Sequence, residues 1–228
     1  MSRASAFAID SPMTTKLAIF DFDGTLADTY PVAVDCINEL ALKHAFRQVG
    51  PADLHELRQL GAIEVLQALQ LPLGRVPVVL ADYRRMLRRR IDEVDLFPGV
   101  LETLHTMADR DIALALVTSN AIDIVRAVVG RSLFSRFAAV ECGASLFGKS
   151  VRLRRALAVT RIDRSQAMYI GDEIRDAQAA RRAGIAFGAV AWGYTELQVL
   201  LRQDPREVFR VSPDLLHLAC TRHRDSAK

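Results

Sequence analysis

The chain has 228 residues, half of them apolar and a quarter charged, with 12 glycines and 8 prolines. That length and balance exclude a peptide-sized fold, a long repeat array and a disordered chain, and call for one large buried core or a core carrying an insertion. Thirty basic residues against 27 acidic ones leave a net charge of +3, too small to argue for a nucleic-acid partner.

In chain order, residues 1–14 come first. They hold one arginine and a short apolar patch broken by Asp10, Ser11 and Pro12, too short for a signal peptide, and are expected to form a mobile leader. Leu17 to Phe20 is a short, continuously apolar run that stops at Asp21, the pattern of a buried parallel strand. Three more such runs are predicted as strands: Ile112 to Val117, Ala167 to Ile170 and Ile185 to Ala191. Helical patterns lie between them, at Val100 to Ala108, Ile122 to Val129, Val151 to Val159 and Asp176 to Ala183. Strands alternating with helices imply an α/β fold, a doubly wound parallel sheet.

The gap from Asp28 to Phe97 spans 70 residues without a convincing strand, whereas a simple crossover takes about a dozen or slightly more. An inserted helical unit is expected there, with helices near Pro31 to Ala45, Ala52 to Gln59, Ile63 to Leu69 and Val76 to Ile91. The division is therefore 15–27 and 98–228 for the sheet unit and 28–97 for a helical cap, hinged near Leu26 to Thr29 and Asp95 to Gly99. Short helices at Glu196 to Arg202 and Asp214 to Ala219 are expected to follow the last strand. Cys36, Cys142 and Cys220 show no metal-ligand spacing and read as reduced thiols in a cytoplasmic protein. No run approaches the roughly 18 apolar residues of a membrane helix, so no membrane partner is expected.

Ligands of open α/β sheets collect beyond the carboxyl ends of the strands. Three predicted strands end there in reactive or phosphate-binding residue types: Asp21 and Asp23, then Thr118-Ser119-Asn120, then Gly171-Asp172 with Asp176 one helical turn later. Any one of these fits a turn or a helix cap; three together point to chemistry. Asp-x-Asp brings two like charges close, which calls for a cation. With Asp172 converging, a hard oxygen-liganded ion such as Mg2+ fits, and no Cys or His cluster for zinc is present. Gly24 permits a sharp turn that exposes backbone amides, including that of Thr25, to a phosphate.

Asp21-Phe22-Asp23-Gly24-Thr25-Leu26-Ala27-Asp28-Thr29 resembles the first signature of the haloacid dehalogenase-like hydrolases, among them the phosphoglycolate phosphatase-like enzymes with a small helical (C1-type) cap on a Rossmann-like core. Val117-Thr118-Ser119-Asn120 resembles the second motif, Lys149 the third, and Gly171-Asp172-Glu173-Ile174-Arg175-Asp176 the fourth, in the family's order, over about Lys16 to Val190. The resemblance implies Asp21 as nucleophile and Asp23 as general acid and base. It implies Mg2+ held by Asp21, the Asp23 main-chain carbonyl and Asp172. Gly24, Thr25, Thr118, Ser119, Asn120 and Lys149 would receive the phosphoryl group, and Asp176 would orient Lys149 or join the metal. Lysine occurs only at Lys16, Lys43, Lys149 and Lys228, so the remaining 26 of the 30 basic residues are arginine; a compact ammonium at Lys149 therefore stands out. Ser150 replaces the proline that many relatives carry after that lysine, and Glu173 reads as a first-turn helix acid rather than a metal ligand.

The implied activity is Mg-dependent hydrolysis of a small phosphorylated metabolite, phosphoglycolate-like or a sugar phosphate, by a monomer or homodimer. A phosphomutase of the β-phosphoglucomutase type would use the same two aspartates. A receiver-like phosphoacceptor domain or an inactive binding module is the alternative of a different class. In the cap, Arg58 is the candidate for contact with an anionic substrate group, against the simpler reading of a solvated arginine. Arg84 to Arg90 is expected to be the solvated face of a helix, and the five scattered histidines are given no catalytic part.

Overall fold

In the computed structural model, which describes residues 15–143 and 148–222, a six-stranded sheet has the order β3-β2-β1-β4-β5-β6, every pair parallel. Residues 1–14, expected to be a leader, lie outside the described residues. β1 (Leu17–Phe20) is followed by α1 (Tyr30–His44), α2 (Pro51–Leu57), α3 (Ala62–Ala68) and α4 (Val76–Arg89), and then by α5 (Val100–Asp109) and β2 (Ala113–Val117). The chain continues through α6 (Ile122–Phe134), β3 (Phe137–Glu141), α7 (Lys149–Thr160), β4 (Ala167–Gly171), α8 (Ile174–Ala183), β5 (Ala186–Val190), α9 (Leu197–Leu201) and β6 (Glu207–Phe209).

β1 is buried along its whole length because both sheet faces are covered. Ala18 and Phe20 join one core with Leu114, Leu116 and the cap residues, while Leu17 and Ile19 join the other with Ala115, Val117 and Tyr169. This double burial is why the strand reads as a continuous apolar run.

Two strands were not predicted. β3 and β6 form the edges of the sheet, where pairing on one side demands less apolar sequence; β3 is only partly buried and β6 has three residues. The expected helix at Asp214 to Ala219 is instead a stretch of 3-10 turns over Ser212–Arg222. α6 runs past its expected end because helical geometry resumes after Gly130, which sits at φ 75°.

The four inserted helices begin where the sequence punctuates them. Pro31, Pro51 and Pro77 fall in the first turns of α1, α2 and α4, positions where the missing N–H costs nothing. Ahead of α2 and α3, the Gly50 and Gly61 N–H groups donate to Asp53 Oδ2 and Glu64 Oε2, each at 2.7 Å. The two crossings between insertion and sheet are tied to one another: Asp28 N–H donates to Asp95 O and Phe97 N–H to Leu26 O, each at 2.9 Å.

The chain leaves β1 toward β2 on one side and returns through α7 to β4 on the other. The crevice of this strand order therefore opens at the carboxyl ends of β1 and β4. A receiver has the order 2-1-3-4-5, which this sheet does not follow. Among the described residues, no single helix is long and apolar enough to cross a membrane.

Candidate active site

Asp21 leaves β1 still in sheet geometry, its N–H donating to Ile170 O at 2.9 Å. The buried Phe22 then anchors a tight loop, its carbonyl accepting from the N–H groups of Leu26 and Ala27, both at 2.9 Å. Gly24 turns that loop at φ 73°, and a side chain there would fall 2.3 Å from Asp172 Oδ2. From the other side, a Cβ on Gly193 would fall 2.1 Å from the Asp172 Cβ. Two backbones thus press against one carboxylate, and glycine is required at both positions.

Three aspartates gather behind the loop. The carboxylates of Asp21, Asp172 and Asp176 are buried, and an oxygen from each lies within 4.8 Å of the others. Lys149, the first residue of α7, reaches between two of them: Nζ donates to Asp21 Oδ2 at 2.5 Å and to Asp176 Oδ1 at 2.6 Å. Asp176 also accepts from Tyr169 Oη at 3.3 Å and from the Glu173 N–H at 3.1 Å. Asp172 accepts from Thr25 Oγ1 at 2.7 Å and from the Tyr194 N–H at 2.8 Å. Asp21 Oδ1 is buried and accepts no hydrogen bond.

Burial pushes the Asp21 carboxyl up to about 7, with Lys149 pulling it back. Burial, reinforced by Glu173, Asp176 and Asp21, drives Asp172 well above the usual carboxylate range. Burial also works against the Lys149 charge, but Asp176 and Asp21 outweigh it and hold the ammonium above its ordinary value. One lysine among three buried carboxylates leaves negative charge in excess, and Asp21 Oδ1 is left without a hydrogen-bond partner. The donor set fits a hard divalent cation.

Asp23 sits apart from this cluster. Its Oδ1 accepts from Asn120 Nδ2 at 2.9 Å and from Thr29 Oγ1 at 3.0 Å. Its enclosed position raises the carboxyl pKa, and those two hydrogen bonds moderate the rise. The Asn120 N–H donates to Thr118 Oγ1 at 3.0 Å, and Asn120 Oδ1 accepts from the Ala121 N–H at 2.8 Å, which fixes the loop after β2.

Several side chains differ from their expected settings. The N–H groups of Gly24, Thr25 and Asn120, expected to face a phosphate, donate within their own loops to Ala27 O at 2.9 Å, Phe22 O at 3.3 Å and Thr118 Oγ1 at 3.0 Å, while the Thr25 hydroxyl is engaged by Asp172 and the Asn120 side chain by Asp23. Thr118 is fully buried at the end of β2, and the Ser119 carbonyl accepts from Arg84 Nη2. Arg58 is half-buried rather than solvated, with two of its nitrogens engaged by backbone: Nε donates to Tyr194 O at 2.9 Å and Nη2 to Gly193 O at 3.2 Å, and its guanidinium lies over Tyr30. The arginine stripe of α4 is only partly solvated, since Arg84 reaches Ser119 and Arg88 pairs with Asp123 at 2.5 Å. Glu173, the residue preceding α8, pairs with Arg175, with Nη2 to Oε1 at 2.9 Å.

Sequence reasoning did not single out Arg175, Tyr169, Thr29 or Tyr194. Tyr194 binds Asp172 through its backbone and Thr29 through its hydroxyl, and its ring centroid is 5.2 Å from that of Tyr30. Its signal was its place just beyond a predicted strand, beside Trp192-Gly193.

The haloacid dehalogenase-like hydrolase family model matches residues 18–190. A phosphoglycolate phosphatase of Synechococcus elongatus is 31% identical over 199 residues, covering 87% of this chain and 94% of that one. Another, from Agrobacterium fabrum, is 29% identical over 197 residues, covering 82% and 84%. Among solved structures, a putative phosphoglycolate phosphatase of Lactobacillus plantarum superposes with a TM-score of 0.77 at 23% identity, covering 90% of this chain and all of that one. CbbY of Rhodobacter sphaeroides in complex with phosphate gives 0.69 at 18%, covering 88% and 96%. With a parallel sheet, an inserted helical cap and these relatives, the chain belongs to the haloacid dehalogenase-like hydrolases, as a phosphatase of the phosphoglycolate phosphatase-like kind.

Proposed function

We propose that the protein is a Mg-dependent phosphomonoesterase that works through an aspartyl-phosphate on Asp21. The observation that carries this reading is the buried, unpartnered Asp21 Oδ1 in a cluster where Asp21, Asp172 and Asp176 each bring a carboxylate oxygen within 4.8 Å of the others, while Lys149 holds Oδ2. Mg2+ would be held by the Asp21 carboxylate, the Asp23 main-chain carbonyl and Asp172; when bound, it supplies the positive charge that lets an anionic phosphoryl group approach an anionic nucleophile.

An Asp21 carboxylate oxygen attacks phosphorus and the bond to the ester oxygen breaks. Asp23, whose enclosed position favours the neutral carboxyl, gives its proton to the departing alkoxide. The Asp23 carboxylate then takes a proton from water, whose oxygen attacks the phosphorus of the aspartyl-phosphate. The phosphorus bond to Asp21 breaks, releasing inorganic phosphate and restoring both residues. Lys149, oriented by Asp176, neutralises charge on the transferring group, and the Thr118 hydroxyl with the Ser119 amide receives its oxygens. The helical insertion over residues 28–97 covers the site and excludes water. Cys36 and Cys142, neither in a disulfide, fit work in the cytoplasm.

The relatives' name makes phosphoglycolate the reference ester for assay. Purified protein with Mg2+ is expected to release phosphate from p-nitrophenyl phosphate, and Asp21→Asn to abolish release. A wild-type protein inert toward aryl, sugar and carboxylate phosphates alike would sink the reading. Isomerised sugar phosphate without net phosphate release would mark a mutase instead.

A further inference from the structure

Although α1 and α4 pack on one another, the four cap helices leave a space among them. Their apolar faces surround a cavity of about 350 Å3 whose lining includes Asp23. Val34 and Ile37 of α1, Leu57 of α2, Leu66 of α3, and Leu80 and Tyr83 of α4 form its walls. Ile37, Leu57, Leu66, Leu80 and Tyr83 are all only partly buried, although each packs against the main core. Apolar side chains inside a helical bundle ordinarily meet each other at close-packed density; here they line a space continuous with the catalytic loop.

The charged groups lining this space already have partners. Arg58 donates to the carbonyls of Gly193 and Tyr194, and Arg175 is paired with Glu173. The Tyr194 hydroxyl is bonded to Thr29. Two nitrogens of each lining arginine are thus held by other groups, and the apolar walls above the mouth offer a carboxylate or a sugar few partners. A carboxylate or polyol placed there would lose hydration without replacement bonds, whereas hydrocarbon would be favoured.

Resting on the phosphomonoesterase reading above, we propose that the substrate is the phosphate monoester of an apolar alcohol, alkyl or aryl, whose hydrocarbon portion fills the cap cavity. Asp23 fixes the direction of binding. As the proton donor it stands beside the leaving oxygen, so the carbon chain of the alcohol begins at the cavity mouth and runs up between the helices. The volume lies at the low end of small-molecule pockets and equals the share of about a dozen waters, a space suited to a medium-length chain or a substituted ring.

The test is kcat/KM for n-alkyl phosphates from ethyl to octyl, beside phosphoglycolate and glucose 6-phosphate, with Mg2+. The expected result is a rise of about fourfold per added methylene until the cavity is full, with octyl phosphate at least a hundredfold above phosphoglycolate. Leu80→Trp, which occupies the space, is expected to lower octyl phosphate turnover at least tenfold and flatten the series. Calorimetry on Asp21→Asn supplies a readout without turnover, in which octyl phosphate binds at least tenfold tighter than phosphoglycolate. Hydrolysis with a flat series, or with phosphoglycolate preferred, overturns the apolar substrate and leaves the phosphatase standing. No hydrolysis of any ester, with the binding preference intact, overturns the phosphatase and leaves the apolar ligand standing. Loss of both overturns both.

Discussion

Lys149 Nζ lies 2.5 Å from Asp21 Oδ2, and both side chains are almost completely buried. The same ammonium holds Asp176 at 2.6 Å, so one cation restrains a proposed nucleophile and a second carboxylate at once. Removing it leaves two buried carboxylates without their partner.

Lys149→Met is therefore expected to act twice. Steady-state assays should show kcat reduced by about 10²–10³, the usual loss for one stabilising donor, and urea unfolding should show a cost of about 3–5 kcal/mol for breaking a buried pair from one side. Lys149→Arg should not restore the rate, because a planar fork cannot occupy the space of a compact ammonium between two carboxylates.

Metal affinity should depend on pH. Burial places the Asp21 carboxyl at about 7 without a cation, and a cation binds the deprotonated form, so binding releases a proton. Affinity must then fall as pH drops through that value, by up to about tenfold per pH unit for each proton released. The half-saturating Mg2+ concentration, measured between pH 6 and 8, should rise toward the acid end, and EDTA should abolish turnover throughout.

Asn120 should tune the acid. Its hydrogen bond to Asp23 favours the ionised form and lowers that carboxyl's pKa. Asn120→Ala should let the pKa rise, moving the alkaline limb of the pH–rate profile to higher pH, since the first step needs Asp23 protonated. Asp23→Asn should instead cost about 10²–10⁴ in kcat, more for alkyl esters than for aryl esters, whose leaving groups need less protonation.

Two cap arginines should behave differently. Arg58 donates two hydrogen bonds to the loop that holds Asp172, and charge-assisted bonds of this kind contribute about 1.5–3 kcal/mol. Arg58→Ala should raise KM about tenfold or more. The Arg88 pair with Asp123 has both partners substantially exposed and is worth at most about 1 kcal/mol, so Arg88→Ala should change KM little, and added salt should erase the difference.

The four central strands, the helical insertion and the chemical inventory were legible in the residues alone, whereas the short or half-buried edge strands β3 and β6 were not. Strands buried on both faces read as continuous apolar runs because no face meets water, and the 70 residues from Asp28 to Phe97 exceed any simple crossover. Asp21, Asp23, Thr118, Lys149 and Asp172 stand at strand ends or helix starts, where local pattern and motif order suffice to find them. Tertiary structure alone decided what each side chain touches. Thr25 on Asp172, Asn120 on Asp23 and Arg58 on the Gly193-Tyr194 carbonyls each join residues at least 97 positions apart, a separation that local periodicity cannot encode. The cap cavity was likewise out of reach. An amphipathic helix carries the same apolar stripe whether its neighbours meet it or stand back, and only the packing of four helices shows that these faces enclose a space.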